Sequence, residues 1–373
     1  MGFGGTRRWL AWTAMGALAM IAASCTSAAA STGTASAPAT KTITLEAAHP
    51  YSPTAPTLGT TDDYHCTLVD PHVTTDSMIT ASEFLPRSPE VHHAILFLVP
   101  PAVVAAARAA DANGRGWTCF GETPLPGVSL AALSQTPWLA AWAPGHGRDE
   151  APAGTGIPLP AGSLVIMQIH YNMLVGTAPV QSKLVLTTVP AATSDLTPLR
   201  LNLIVAPPDV PCPAGVSGPL CDRSASLADL GQRFGQDQVG FVSLIERVCG
   251  RDPQDPPAGD STSCVWPVGF SGSVVRVTAH MHLLGASFKL VLDPGTPQQR
   301  TLLDVPSYNF DYQRSYDIPS VSVHPGDSFQ VSCTYNPVLR QQLPQLRDLP
   351  ARFVTWGDGS SDEMCLAIIS YVQ

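Results

Sequence analysis

His280 and His282 stand two residues apart in Val277-Thr278-Ala279-His280-Met281-His282-Leu283-Leu284-Gly285. Strand-like runs flank them, Gly272-Ser273-Val274-Val275-Arg276 before and Phe288-Lys289-Leu290-Val291-Leu292 after. β-branched and aliphatic residues on both sides favour a pleated strand. Residues two apart on a strand share a face, so both imidazoles point one way and Met281 the other. Such a pair is half of a metal site; taken alone, it also reads as two histidines that satisfy each other or solvent. The other histidines weigh on that choice. The chain has ten, and five sit in apolar runs. Besides His280 and His282, these are the adjacent His92 and His93 in Glu90-Val91-His92-His93-Ala94-Ile95-Leu96-Phe97, and His170 in Leu164-Val165-Ile166-Met167-Gln168-Ile169-His170-Tyr171-Asn172. A neutral imidazole buried in a strand costs free energy unless it is hydrogen-bonded or metal-bound. Five in three strands point to ligands. His49, His65, His72, His146 and His324 lie beside Pro, Gly, Cys or Asp and are expected mostly at the surface.

Charged residues make up only 13% of the 373-residue chain, against 45% apolar, with 36 Pro and 30 Gly. Few charges, many turn residues and short Val/Ile/Leu/Thr runs indicate an all-β protein. The length allows two domains. Strands are expected at 64–69, 79–85, around His92 and His93, at 183–189, 201–206, 274–282, 288–292, 301–305, 310–316, 329–335 and in the last ten residues, where Met364 follows Asp362-Glu363. Residues 102–110 are alanine-rich and suit a short helix. The pattern breaks around Ala191-Ala192-Thr193-Ser194-Asp195, which puts an N-terminal domain at 43–193 and a C-terminal one at 194–373. Between Cys212 and Cys264 the sequence is rich in Pro, Gly and Cys and reads as an irregular insertion stapled by disulfides. No helical period is long enough for a bundle, and no solenoid repeat is present. A net charge of -9 with no basic stripe argues against a nucleic-acid partner.

Residues 1–25 read as an export signal and are set aside from the fold. Arg7-Arg8 precede an apolar run from Trp9 to Ala23, too short to span a bilayer comfortably. The run ends in Ala22-Ala23-Ser24-Cys25, which is similar to a bacterial lipobox with Ala in place of the usual Leu. Lipidation of Cys25 would tether an exported protein to a membrane; the plainer outcome is cleavage nearby and a soluble exported protein. Residues 26–42, rich in Ala, Ser and Thr, suit a flexible tether. Nine cysteines less Cys25 leave eight, an even number that in an exported protein favours disulfides over metal thiolates. No Cys-x-x-Cys is present, which disfavours a zinc ribbon. Cys212 with Cys221 and Cys249 with Cys264 are close enough to pair locally, though spacing alone leaves the connectivity of these four open.

Six local signatures, in this order, resemble the copper type II, ascorbate-dependent monooxygenases, the family of the peptidylglycine- and dopamine-hydroxylating enzymes. They are Tyr64-His65-Cys66, Val91-His92-His93-Ala94-Ile95-Leu96-Phe97, Gln168-Ile169-His170-Tyr171-Asn172, His280-Met281-His282-Leu283-Leu284-Gly285, Gly326-Asp327-Ser328 through Cys333-Thr334-Tyr335-Asn336, and Asp362-Glu363-Met364-Cys365. Each is weak alone; in this order and spacing they are specific. The resemblance implies two tandem jelly-roll-like antiparallel β-sandwich domains facing each other across a cleft, with two copper ions. His92, His93 and His170 match the ligands of an electron-transfer copper in the first domain. His280, His282 and Met364 match those of the oxygen-binding copper in the second. It also implies disulfides Cys66–Cys119 and Cys333–Cys365. Imidazole suits copper among other metals, and a thioether favours Cu(I). Adjacent strand residues point to opposite faces, so His92 and His93 can share one metal only if the strand is bulged or twisted there.

The function implied is hydroxylation of an activated C–H bond with O2 and a one-electron donor such as ascorbate. The chain departs from the family pattern where the peptide-hydroxylating members hold a substrate carboxylate. Their arginine, asparagine and tyrosine are matched here by Thr278, Leu366 and Ile368, although Arg276 is near. A neutral or apolar small molecule is therefore expected as substrate, with membrane contact only through a lipid anchor. Two other readings stand beside this one: a copper-binding or electron-transfer lipoprotein without catalysis, and a metal-free structural or carbohydrate-binding sandwich.

Overall fold

The computed structural model describes residues 1–2, 39–54, 61–120, 125 and 137–373. Residues 3–25 of the export segment, Cys25 among them, and residues 26–38 of the expected tether lie outside the described residues. Pro38–Gln373 form one compact unit. The first strand opens at Lys41, two residues inside the expected tether, because Lys41 and Thr42 already pair with a strand far along the chain.

The first eleven strands are β1 (Lys41–Glu46), β2 (Asp62–Val69), β3 (Ser77–Leu85), β4 (Val91–Val99), β5 (Trp117–Thr118), β6 (Trp138–Trp142), β7 (Asp149–Glu150), β8 (Thr155–Leu159), β9 (Leu164–Asn172), β10 (Lys183–Pro190) and β11 (Thr197–Pro198). They make two sheets, ordered β5-β2-β9-β4-β6 and β1-β10-β3-β8-β11, with β7 on β3. Leu96 and Met167 from the first sheet meet Ile79, Leu184 and Leu186 from the second in one core. β10 alternates buried and half-buried, as a strand with one face inward should. β9 is different: eight of its nine residues are buried. Its outer face is covered by the short helix α1 (Val104–Ala110) and the Cys66–Cys119 disulfide. That cover explains the unbroken apolar run around His170.

The second set comprises β12 (Arg200–Val205), β13 (Asp209–Val210), β14 (Ser261–Pro267), β15 (Gly272–His280), β16 (Gly285–Leu292), β17 (Arg300–Val305), β18 (Ser315–Val323), β19 (Ser328–Tyr335), β20 (Val354–Thr355) and β21 (Leu366–Val372). Sheets β12-β21-β15-β18 and β14-β19-β16-β17 enclose Val274, Val277, Leu290, Phe329, Val331 and Ile369. The chain passes between the two sets after β11, which still pairs with β8, and before β12, which pairs with β21. Both sets are sandwiches of mainly antiparallel sheets, as the composition and the family resemblance indicate.

Four local expectations change. The 212–264 insertion is not irregular: it holds helices α2 (Arg223–Phe234) and α3 (Gln236–Val248). The Asp222 side chain caps α2 by accepting from the Ala225 N–H, and Gly235, at φ 93°, ends it. Leu230 and Phe234, one turn apart, pack with Leu366 and Ile368 on the outer face of the β12–β21 sheet. Strand pairing near 310–316 starts only at Ser315, β15 stops at His280, and Met364 precedes β21. His282 and Met364, next to the site, lie outside the ladder and donate their N–H groups to the Glu363 side chain instead. All four disulfides form: Cys66–Cys119, Cys212–Cys221, Cys249–Cys264 and Cys333–Cys365. They fit an oxidising, exported setting. Among the described residues no helix is long and apolar enough to cross a membrane.

Candidate metal centre

His93 on β4 sits directly opposite His170 on β9, and the register slips between Val91 and His93. His92 is the extra residue of that bulge. The slip is what lets two adjacent residues face one point. One ring nitrogen from each of His92, His93 and His170 lies within 4.8 Å of the others. Ring centroids are 5.0 Å apart for His92 and His170 and 4.5 Å for His93 and His170. The His170 Nε2 meets Asp62 Oδ1 at 2.7 Å, and both side chains are buried. The Ser360 hydroxyl donates to the same oxygen at 3.0 Å. Tyr64 stacks on the His170 ring at 4.2 Å and 7°. With Nε2–H held by Asp62, the lone pair of His170 is on Nδ1. That Nδ1 and the Nδ1 of His92 are buried without a hydrogen-bond partner. Leaving such an atom unmade costs about 1–3 kcal/mol. A metal ion at the convergence of these nitrogens removes the cost, so the residues fit the group the sequence implies. Burial, then the neighbouring His170, holds the His92 imidazole down at about 3. The same causes hold His93 well below its usual range. Both rings are neutral at physiological pH and keep their lone pairs.

The second group is built differently. His280 closes β15 and His282 lies just beyond it, with ring centroids 5.2 Å apart. Met281 between them is fully buried in the sandwich core. His280 Nδ1 donates to Gln313 Oε1 at 2.7 Å, and the Gln313 amide donates to the Phe310 carbonyl, which fixes its orientation. His282 Nδ1 donates to the Asp362 carbonyl at 3.2 Å. Both rings therefore keep the Nε2 lone pair free. Burial holds His280 at about 4 and, aided by His280, His282 at about 3.

The Glu363 carboxylate ties this group together. It accepts backbone N–H bonds from His282 at 3.0 Å, Leu284 at 2.6 Å and Met364 at 3.2 Å. Burial pushes this carboxyl up to about 8 despite those donors. Asp362 is gripped by Arg233 of α2 through two 2.7 Å bonds. The helical insertion thus braces the loop that carries Met364, and the Cys333–Cys365 disulfide anchors its far side.

His93, His280, His282 and Met364 line one cavity of about 130 Å³ between the sandwiches. The His93 and His280 rings are 6.2 Å apart, so the two groups face each other across it. Trp138, Leu139, Trp142, Leu199 and Leu201 form apolar walls. Arg276 lines it too, but its guanidinium is bound to Asp317, to Asp149 at 3.0 Å and to the Glu150 carbonyl at 2.7 Å. Thr278 bonds Ser315 at 2.7 Å. The sandwiches are also joined by Tyr64 donating to the Asp358 carbonyl and by the Ser360–Asp62 bond.

Two histidines expected at the surface are not there. His65 is buried, stacked 3.6 Å from Tyr51 and bonded to the Arg115 carbonyl, and His146 lines the cavity. His49, His72 and His324 are exposed. Sequence reasoning passed over Asp62, Gln313, Phe310 and Ser360. Only Asp62 carried a signal: two aspartates at the head of an apolar strand, where burial demands a partner.

Residues 268–373 match the family model described as copper type II ascorbate-dependent monooxygenase, C-terminal domain. No curated protein matches the chain. Similar solved structures include an allantoicase at 9% identity, covering 79% of this chain and 77% of that one, with a TM-score of 0.18. The Saccharomyces cerevisiae allantoicase gives 7% identity, 83% and 77% coverage and a TM-score of 0.20. The infectious bursal disease virus Gx strain structure gives 7%, 91% and 75%, with a TM-score of 0.20. Likenesses this slight carry no argument.

Proposed function

We propose, from the premise that this chain belongs to the copper type II ascorbate-dependent monooxygenase family, that it hydroxylates an activated C–H bond of a small neutral or apolar molecule with O2 and a one-electron donor. The observation that carries this reading is the convergence of His93, His280, His282 and Met364, from two sandwiches, on one apolar cavity, with His92 and His170 grouped with His93 behind it. His92, His93 and His170 would hold one copper, and His280, His282 and Met364 the other. Bound copper supplies one-electron chemistry with O2, and the soft thioether favours Cu(I). Asp62 and Tyr64 fix the His170 ring, Gln313 and Asp362 turn His280 and His282, and Glu363 sets the spacing of His282 from Met364. The tryptophan and leucine walls exclude water from the reacting carbon. Arg276 is neutralised by Asp149 and Asp317, so among the described residues lining the cavity no free cation waits for a substrate carboxylate.

A non-catalytic copper-binding or electron-transfer protein would need the same ligands. The two readings part on substrate. Copper per chain is counted first, against a zinc-loaded control, and ascorbate and O2 consumption is then followed across a panel of neutral and acidic small molecules. Two coppers with substrate-dependent O2 uptake support the monooxygenase. Two coppers with no substrate-dependent uptake support electron transfer, and no copper removes both. The proposed site of membrane tethering is a lipid on Cys25; the mass of the mature N-terminus tests it.

A further inference from the structure

The loop 357–364 runs between the two histidine groups and bears on both. Toward the first, the Asp358 carbonyl accepts from the Tyr64 hydroxyl, and the Tyr64 ring stacks on His170. The Ser360 hydroxyl donates to Asp62, which holds the His170 Nε2. Toward the second, the Asp362 carbonyl takes the His282 Nδ1–H, and Met364 ends the loop. None of residues 357–362 belongs to a strand. The shape of the loop therefore depends on what grips it from outside.

The grip comes from α2 and α3. Arg233 of α2 donates to both carboxylate oxygens of Asp362, at 2.7 Å each, and Asp229, one turn earlier, accepts from the same guanidinium at 2.8 Å. Arg352 adds a longer contact to Asp362 at 3.4 Å. Gln238 of α3 donates to the Asp358 carboxylate at 2.7 Å. Two glycines let the loop lie close to the helices. A Cβ at Gly357 would meet Leu230 Cδ1 at 2.7 Å, and one at Gly359 would meet Asp362 Oδ2 at 2.8 Å and Arg233 Nη1 at 3.1 Å. Asp358 and Asp362 are each 3% exposed. In such a setting these bonds are stronger than in water, and solvent does not replace a lost partner.

Asp62 and Gln313 each steady one histidine group, whereas the helical pair reaches both. We infer that α2 and α3 form a shared positioning element for the two groups: Arg233 sets His282 and Met364 through Asp362, and Gln238 sets His170 through Asp358 and Tyr64. The bearing of this element on copper rests on the reading that the two groups hold copper; its bearing on the rings does not.

The test uses the full exported chain in two measurements. The first is the nitrogen NMR signature of the histidine rings in the metal-free protein, which shows which ring nitrogen carries the proton. The second is the hold of each site on Cu(I), read by chelator competition. Arg233→Met should put His282 into a mixture of tautomers and weaken second-site Cu(I) about 10- to 100-fold, with the first site changed less than about two-fold. Arg233→Lys keeps the charge but loses the fork, and should recover part of that loss. Gln238→Leu should shift the His170 ring signal and weaken the first site about five-fold, the worth of one hydrogen bond. Gly359→Ala presses on the loop between Asp358 and Asp362 and should weaken both sites together. Val242→Ala serves as the control. It removes buried volume from α3 and no polar contact with the loop, so it should lower stability and leave the rings and both sites as they are. If Arg233→Met and Gln238→Leu lower the unfolding midpoint as Val242→Ala does, but leave the ring signals or the Cu(I) hold unchanged, the helices only pack against the loop and the inference is overturned. Ring signals that shift as expected in a protein that binds no copper sink the monooxygenase reading and leave the positioning role standing.

Discussion

The two histidine groups use one residue type in opposite ways. In the first, Asp62 takes the Nε2 of His170, while the Nδ1 atoms of His170 and His92 are left bare. In the second, Gln313 and the Asp362 carbonyl take the Nδ1 atoms of His280 and His282, and the ε nitrogens stay free. The first group is held inside a sheet, at a bulge in β4 and opposite it on β9. The second straddles the end of β15, with His280 its last residue, and the buried side chain of Glu363 holds the His282 and Met364 backbones. The contrast teaches that a hydrogen bond at the far nitrogen, not the histidine itself, sets which atom faces a metal. It also gives the first group a charged brace and the second a neutral one.

The largest break in that comparison is His170→Ala. It should remove first-site copper and turnover together while second-site copper stays, read by copper count and by the Cu(II) spectrum. Met364→Ala should do the reverse: turnover falls to background with first-site copper retained. Because Met364 is 7% exposed among Leu230, Phe234 and Trp356, it should also cost about 3 kcal/mol of stability, measured by denaturant unfolding. Full activity in that variant would remove Met364 from the site. Next come the braces. Asp62→Asn should weaken first-site copper about 10- to 100-fold in a chelator competition, with Asp62→Glu restoring part of it. Gln313→Leu should weaken only the second site, by about 10-fold. If Asp62→Asn lowers both sites equally, the brace is a general support of the seam and the contrast fails.

The smallest effect is on pH. In the metal-free protein His92, His280 and His282 sit at about 3, 4 and 3, below their ordinary 6.5. Their stability contribution is full above pH 6.5 and is lost as pH falls, because the unfolded chain binds protons first. Asp358 and Glu363 are raised by burial to about 7 and 8, so their contribution is full at acid pH and is lost as pH rises through those values. The Tm of the metal-free protein should therefore peak near pH 6.5 and fall on both sides, with the two raised carboxyls partly offsetting the histidines on the acid side. A flat profile from pH 4 to 8 would show that these groups are not buried as described.

Much of the molecule was legible before its structure. The β-branched runs about His170 and His280 are strands, and the adjacency of His92 and His93 demanded a bulge that is present. The helices over Arg223–Phe234 and Gln236–Val248 were hidden by the Pro and Gly around them, although Asp222 and the spacing of Leu227, Leu230 and Phe234 are helix signals. His65 and His146 were misjudged because a histidine in loop-like sequence can still be covered by a neighbour from elsewhere, here Tyr51 for His65. Asp62 was not legible at all as a partner of His170. The two are 108 residues apart, and they meet because β2 runs beside β9 with Tyr64 opposite His170.

The sequence by itself determined the strands around His92, His170 and His280 and which histidines sit in apolar runs, since these depend on side-chain period and on the cost of burying a polar ring. The tertiary structure decided which ring nitrogen is free and that Arg276 is neutralised. Those features arise from contacts such as Ser360 with Asp62, 298 residues apart, and no local pattern encodes a contact that only the packing of one sandwich on the other creates.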